Sequence, residues 1–126
     1  MIDIYQEELF DHYKSPRNSG SLSNPTIKIN DTNPLCGDEI SVTVKLKEDT
    51  IKDIKFDSRG CAVSVASASK ISEELKGKKI KDVLKLDEKF VLDLLGIPIS
   101  PMRLKCALLS LRTLQKGISR YKNNEK

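Results

Sequence analysis

Aromatic residues are scarce, 5% of the chain, and none stands in a basic stretch. Nucleic-acid recognition draws on clustered cations with interleaved aromatics. Here 22 Lys and Arg are scattered among 18 acidic residues, so the net charge of +4 reads as a solvated surface and no nucleic-acid partner is expected. No apolar run approaches the roughly 18 residues of a membrane-spanning helix, which excludes a helical membrane span. The stretch Met1-Ile2-Asp3-Ile4-Tyr5-Gln6-Glu7-Glu8 has neither the basic nor the apolar region of a secretory signal, so a cytoplasmic location is expected. Histidine occurs once and cysteine three times. An odd number of cysteines cannot all pair, and in a reducing compartment such thiols suit metal binding or catalysis. No internal repeat or low-complexity segment interrupts the 126 residues. One domain spanning 1–126 is expected, with residues 123–126 fraying.

Hydrophobic residues make up 38% and charged residues 32%, the balance of a folded chain and not of a disordered one. Ile2, Tyr5, Leu9 and Tyr13 recur at helical spacing and predict an amphipathic first helix ending before Ser15-Pro16. Residues 26–29 predict a short strand. Strict alternation over 40–46 predicts a second, with Ile40, Val42, Val44 and Leu46 on its buried face. A polar turn at 47–50 leads to a third, antiparallel strand carrying Ile51, Ile54 and Phe56. Small residues from Ala62 to Leu75 predict a helix that Gly77 stops. Two short helical turns over 80–86 and 90–95 follow, then a long amphipathic helix through Leu104, Leu108, Leu111, Leu114, Ile118 and Tyr121. The expected class is α+β: a small three-stranded antiparallel sheet with helices on one face.

Each cysteine falls at an element end. Cys36-Gly37-Asp38 precedes the best strand, and its glycine lets a thiolate and a carboxylate two residues apart converge. Cys61 follows Gly60 at a strand-to-helix junction, where the positive end of the helix favours thiolate. Cys106 stands beside Arg103 and Lys105, two cations that favour thiolate as well. The separations of 25 and 45 residues match no zinc-finger or ferredoxin spacing, and Cys106 among apolar neighbours, taken alone, reads more readily as a small buried hydrophobe. The run 62–69 reads either as a well-formed helix or as a stretch of small side chains that leaves the Cys61 thiol open to a partner.

Four local sequences decide between these readings. They are Asp11-His12-Tyr13-Lys14-Ser15-Pro16-Arg17-Asn18-Ser19-Gly20, Asn33-Pro34-Leu35-Cys36-Gly37-Asp38-Glu39-Ile40, Gly60-Cys61-Ala62-Val63-Ser64 with Ala66-Ser67-Ala68-Ser69 after it, and Pro101-Met102-Arg103-Leu104-Lys105-Cys106. Together, in this order, they resemble the U-type scaffolds of iron–sulfur cluster assembly: IscU, SufU and the N-terminal domain of NifU. The resemblance spans nearly the whole chain and implies the same α+β fold. It also implies that Cys36, Asp38, Cys61 and Cys106 bind a 2Fe–2S cluster or Zn2+, with Cys106, Cys61 and Cys36 as catalytic candidates, Cys106 the candidate persulfide acceptor, and Arg103 and Lys105 auxiliary. The implied partners are a cysteine desulfurase of the IscS or SufS type, apo iron–sulfur acceptor proteins, and a Hsc70-type chaperone at 99–103. The implied role is a scaffold or carrier, with a SufU-like zinc-dependent sulfurtransferase as the alternative on the same ligands. Lys105 stands where IscU proteins have histidine and gives the SufU-like Arg-x-Lys-Cys, whereas the spacing from Cys61 to Cys106 lacks the SufU insertion. His12 matches a non-ligand position. Thiolates suit soft iron–sulfur and zinc centres while a carboxylate oxygen is harder, so Asp38 is the expected weak corner.

Overall fold

Alternation of apolar and polar side chains along residues 40–46 builds a central strand, and the rest of the sheet registers on it. The computed structural model describes residues 4–33 and 37–124. Its elements are α1 (Ile4–Lys14), β1 (Ile27–Asn33), β2 (Asp38–Lys47), β3 (Thr50–Arg59), α2 (Ala62–Leu75), α3 (Ile80–Val83), α4 (Glu88–Leu95) and α5 (Pro101–Asn124). The strands form one antiparallel sheet in the order β1-β2-β3. Ile40, Val42 and Val44 are buried as expected, and Leu46 is half-buried.

The β2–β3 turn holds Glu48 and Asp49 at φ 53° and 64°, the two left-handed positions of a type I′ hairpin, here filled without glycine. Pairing then shifts from Leu46↔Ile51 to Lys45↔Asp53, which leaves Lys52 as a bulge. The bulge explains how Ile51 and Ile54, three residues apart, both turn into the core. β1 is longer than its apolar residues indicate. Asn30, Asp31, Thr32 and Asn33 pair with Ser41, Ile40, Glu39 and Asp38, so cross-strand pairing carries a polar segment into the ladder against its weak strand propensity.

Ile71 and Leu75 of α2 and Leu108, Leu111, Leu114 and Ile118 of α5 join the sheet's inward face in one apolar core. On the opposite face the chain before β1 crosses the sheet. Asn18 and Gly20 exchange backbone hydrogen bonds with Phe56 at the β3 edge, and the Leu22 amide donates to Thr43 Oγ1 at 3.0 Å. Helix ends follow local chemistry: Asp87 caps α4 by accepting from the Phe90 amide, and Gly96 closes it at φ 71°. α5 begins at Pro101, a residue suited to a helix start. It continues through Asn123 and Asn124, which were expected to fray; buried Ile118 holds the preceding turns on the core. Among the described residues no helix is long and apolar enough to cross a membrane.

α5 approaches β1 closely at Gly117, where an added Cβ would lie 2.9 Å from Ile29 Cγ2 and 3.0 Å from Ile27 Cγ2. Alanine would gain about 1 kcal/mol of helix propensity, against an overpacking cost of about 1–3 kcal/mol. Gly117→Ala is therefore expected to lower stability by about 1 kcal/mol in urea unfolding; a raised midpoint would contradict the close approach.

Candidate metal centre

Three chain segments meet at one end of the sheet, and each delivers a ligand-type side chain there. Asp38 opens β2 opposite Asn33 and is fully buried. β3 runs out through Gly60 to Cys61, which has an extended backbone (φ −71°, ψ 165°) and occupies the N-cap of α2 without its thiol capping the helix. Cys106 lies in the second turn of α5, fully buried. One ligand atom from each of Asp38, Cys61 and Cys106 lies within 4.8 Å of the others. Ligands around a tetrahedral zinc stand about 3.8 Å apart when the metal–sulfur distance is about 2.3 Å, so a small closing motion suffices. Cys36, the fourth expected ligand, lies outside the described residues.

The carboxylate fits a metal role on its own geometry. Asp38 Oδ1 accepts the Cys61 amide at 2.9 Å, while Oδ2 is buried with no hydrogen-bond partner among the described residues. An orphaned buried oxygen is costly unless a ligand completes it. Two thiols and this oxygen form a donor set suited to zinc or to an iron–sulfur cluster.

Of the two neighbouring cations, Arg103 is the one that faces the thiols. Both are exposed, but Arg103 precedes Cys106 by three residues and so shares its helix face, whereas Lys105 is its immediate neighbour in the chain and does not. Its guanidinium is held above its ordinary pKa first by a side-chain hydrogen bond with Cys106, then by the charge of and a hydrogen bond with Cys61. Asn33 Nδ2 stands 3.9 Å from Cys106 Sγ, and Ser67 Oγ donates to the Ala107 carbonyl at 2.6 Å, tying the start of α5 to α2 beside the site. Neither Asn33 nor Ser67 was singled out from the sequence; their signal was only membership in the motif blocks. The small residues after Cys61 serve packing first: Ser64, Ala66, Ser67, Ala68 and Ser69 are buried. Ala62 and Val63 line an apolar groove of about 240 Å³ with Leu9, Phe10, Tyr13 and Ile99.

His12 sits elsewhere, between α1 and α2. Its Nδ1 is 2.7 Å from Ser69 Oγ, which also accepts the Arg17 amide at 2.8 Å, and its Nε2 is 3.4 Å from Glu73 Oε1. Burial, followed by the charge of Arg17, pushes the His12 pKa below its ordinary 6.5, with Glu73 opposing. A folded value below the unfolded one means that the fold prefers neutral histidine. This contribution is complete above about pH 6.5 and is lost as pH falls through the lowered folded value. His12→Gln is expected to flatten the decline of the urea midpoint between about pH 7 and 5; an unchanged slope would contradict this role.

Fold and site define a three-stranded α+β protein with a thiol–carboxylate cluster of metal-ligating type at one end of its sheet. The NifU-like N-terminal domain matches residues 4–126, and the chain belongs to this family. It is 37% identical over 134 residues to the zinc-dependent sulfurtransferase SufU of Bacillus subtilis, covering 93% of this chain and 90% of the relative. That alignment is longer than the chain itself, so the relative carries residues with no counterpart here. It is 34% identical over 118 residues to the iron–sulfur cluster assembly scaffold protein IscU 1 of Archaeoglobus fulgidus, covering 94% of this chain and 76% of the relative. Among solved structures, a proposed iron–sulfur cluster assembly scaffold protein for the SUF system from Fervidobacterium islandicum superposes with a TM-score of 0.74 at 28% identity, over 89% of this chain and 94% of that one.

Proposed function

We propose that the chain is a single-domain cytoplasmic scaffold on which an iron–sulfur cluster is assembled and from which it passes to apo acceptor proteins. The observation that carries this reading is the fully buried Asp38, its Oδ2 without a partner among the described residues, with a carboxylate oxygen within 4.8 Å of the two thiols. Similarity to proteins named as cluster assembly scaffolds supports it. Cys36, Asp38, Cys61 and Cys106 are the proposed ligands of the cluster, which is cargo.

The residues divide the work. Cys61 is partly exposed and Cys106 fully buried, so of these two Cys61 is the thiol that an incoming sulfur donor reaches without rearrangement. Sulfur delivery to Cys106, the candidate persulfide acceptor, requires that its cover move. Arg103 places a positive charge beside both thiols, within hydrogen-bonding reach of each. Asp38 contributes a hard oxygen, already engaged through Oδ1, and so the weakest attachment for soft iron. The donor implied is a cysteine desulfurase, and a Hsc70-type chaperone is proposed to act at 99–103, where Met102 is 84% exposed.

The test is anaerobic incubation with a cysteine desulfurase, cysteine and ferrous iron, followed by an apo-ferredoxin. Growth of a visible chromophore and its movement to the ferredoxin are expected; a chromophore that never leaves would oppose the scaffold reading. The second reading is a zinc-dependent sulfurtransferase, favoured by the 37% identity to SufU and by Arg103-x-Lys105-Cys106. Zinc on the same ligands would hold the thiols as thiolates. Its mark would be zinc-dependent acceleration of desulfurase turnover with no cluster transfer.

A further inference from the structure

We propose that Gly60 is a positioning residue for Asp38: the side chain it lacks is the space in which the Asp38 carboxylate sits. Backbone freedom does not explain this glycine. Gly20, Gly37, Gly77 and Gly96 have positive φ, between 71° and 110°, whereas Gly60 is outside that region. What a side chain at 60 would meet is Asp38 itself. An added Cβ would overlap Oδ1 and lie 2.7 Å from Cγ and 3.0 Å from the Asp38 Cβ, all too close. Turning the carboxylate about its own axis moves only the oxygens, so it cannot relieve the contacts with Cγ and Cβ.

Asp38 cannot retreat as a whole. It is the first residue of β2, paired with Asn33 of β1, and it is fully buried. The remaining response to a methyl group at 60 is expulsion of the carboxylate from its place. That breaks the Oδ1 bond to the Cys61 amide and removes the carboxylate from the two thiols. Gly60→Ala thus acts on the site through Asp38, although residue 60 offers no ligand atom. This inference rests on the reading of Asp38 as a ligand in its functional consequence, and on geometry alone in its coupling to Gly60.

The test compares wild type, Gly60→Ala, Asp38→Ala and the double variant. In metal-free protein the Cys61 amide loses its acceptor in either single variant, so its hydrogen exchange is expected to accelerate on the order of tenfold. The double variant is expected to match Asp38→Ala within about twofold, because the obstacle is already gone. After anaerobic cluster reconstitution, the cluster half-life of Gly60→Ala is expected to change in the same direction as that of Asp38→Ala, again with no further change in the double variant. A general structural lesion would instead shorten the half-life whatever Asp38→Ala does. A Gly60→Ala protein with wild-type exchange at Cys61 and wild-type cluster half-life overturns the proposal, as do effects that multiply in the double variant. Should wild type assemble no cluster, the scaffold reading falls while the exchange comparison still decides the coupling. Should Gly60→Ala fail to fold, recovery in the double variant supports the proposal, and failure of both overturns it.

Discussion

Asp38→Ala is expected to hold a reconstituted cluster longer than the wild-type protein, with release to apo-ferredoxin slowed on the order of tenfold, a barrier change of about 1.4 kcal/mol. The expectation follows from what the carboxylate is. It is an oxygen donor among thiols, with one oxygen already committed to the Cys61 amide at 2.9 Å. An iron bound there is held by the hardest ligand of the set. Alanine opens that corner to an external thiolate, which bonds iron more firmly, while the cysteines keep the cluster anchored. A site built only to retain zinc would respond with the opposite sign. There, loss of Asp38 would weaken metal affinity and lower stability, because bound metal contributes directly to folding free energy. Faster cluster loss from Asp38→Ala would rule out the weak-corner role.

Serine at Cys61 or Cys106 should sharply lower metal retention. Zinc-thiolate sites contribute about 10–16 kcal/mol in total, so one of four ligands is worth about 3 kcal/mol, near a hundredfold in affinity. The two cysteines differ in what else they lose. Cys61 is partly exposed, and its serine variant should lose metal while the metal-free protein keeps its stability. Cys106 is fully buried, and a serine hydroxyl there adds a polar group to be satisfied, so Cys106→Ser should also lower the metal-free urea midpoint. Cys36→Ser is expected to match Cys61→Ser in metal loss. His12→Ala should leave metal affinity unchanged, since its ring bonds to Ser69 and Glu73 between α1 and α2. Equal metal loss in the histidine variant would redraw the ligand set.

The parts of this fold most legible in the sequence were those where one local rule acts alone. Alternation marked β2, small residues bounded by Cys61 and Gly77 marked α2, and leucines at helical spacing marked α5. Where pairing or approach in space decides, the sequence is silent. Nothing in Asn30 to Asn33 announces a strand; β2 imposes it. Nothing in Ile51-Lys52-Asp53-Ile54 announces the bulge that turns both isoleucines inward. At the site, the motif blocks named Asp38, Cys61 and Cys106, which the structure brings together, and Cys36, which lies outside the described residues. They did not separate Arg103 from Lys105, because that distinction appears only once α5 starts at Pro101 and puts Arg103 on the face of Cys106. Nor could they give the reason for Gly60, which depends on a carboxylate 22 residues earlier in the chain.

The central claim, a cluster-bearing site at the end of the sheet, is tested most directly by anaerobic purification followed by analysis of iron, acid-labile sulfide and zinc, with a visible spectrum of the same sample. Iron and sulfide in equal amounts, with a chromophore absent from Cys61→Ser and Cys106→Ser, are expected. Zinc alone, or a chromophore that survives both substitutions, would contradict it.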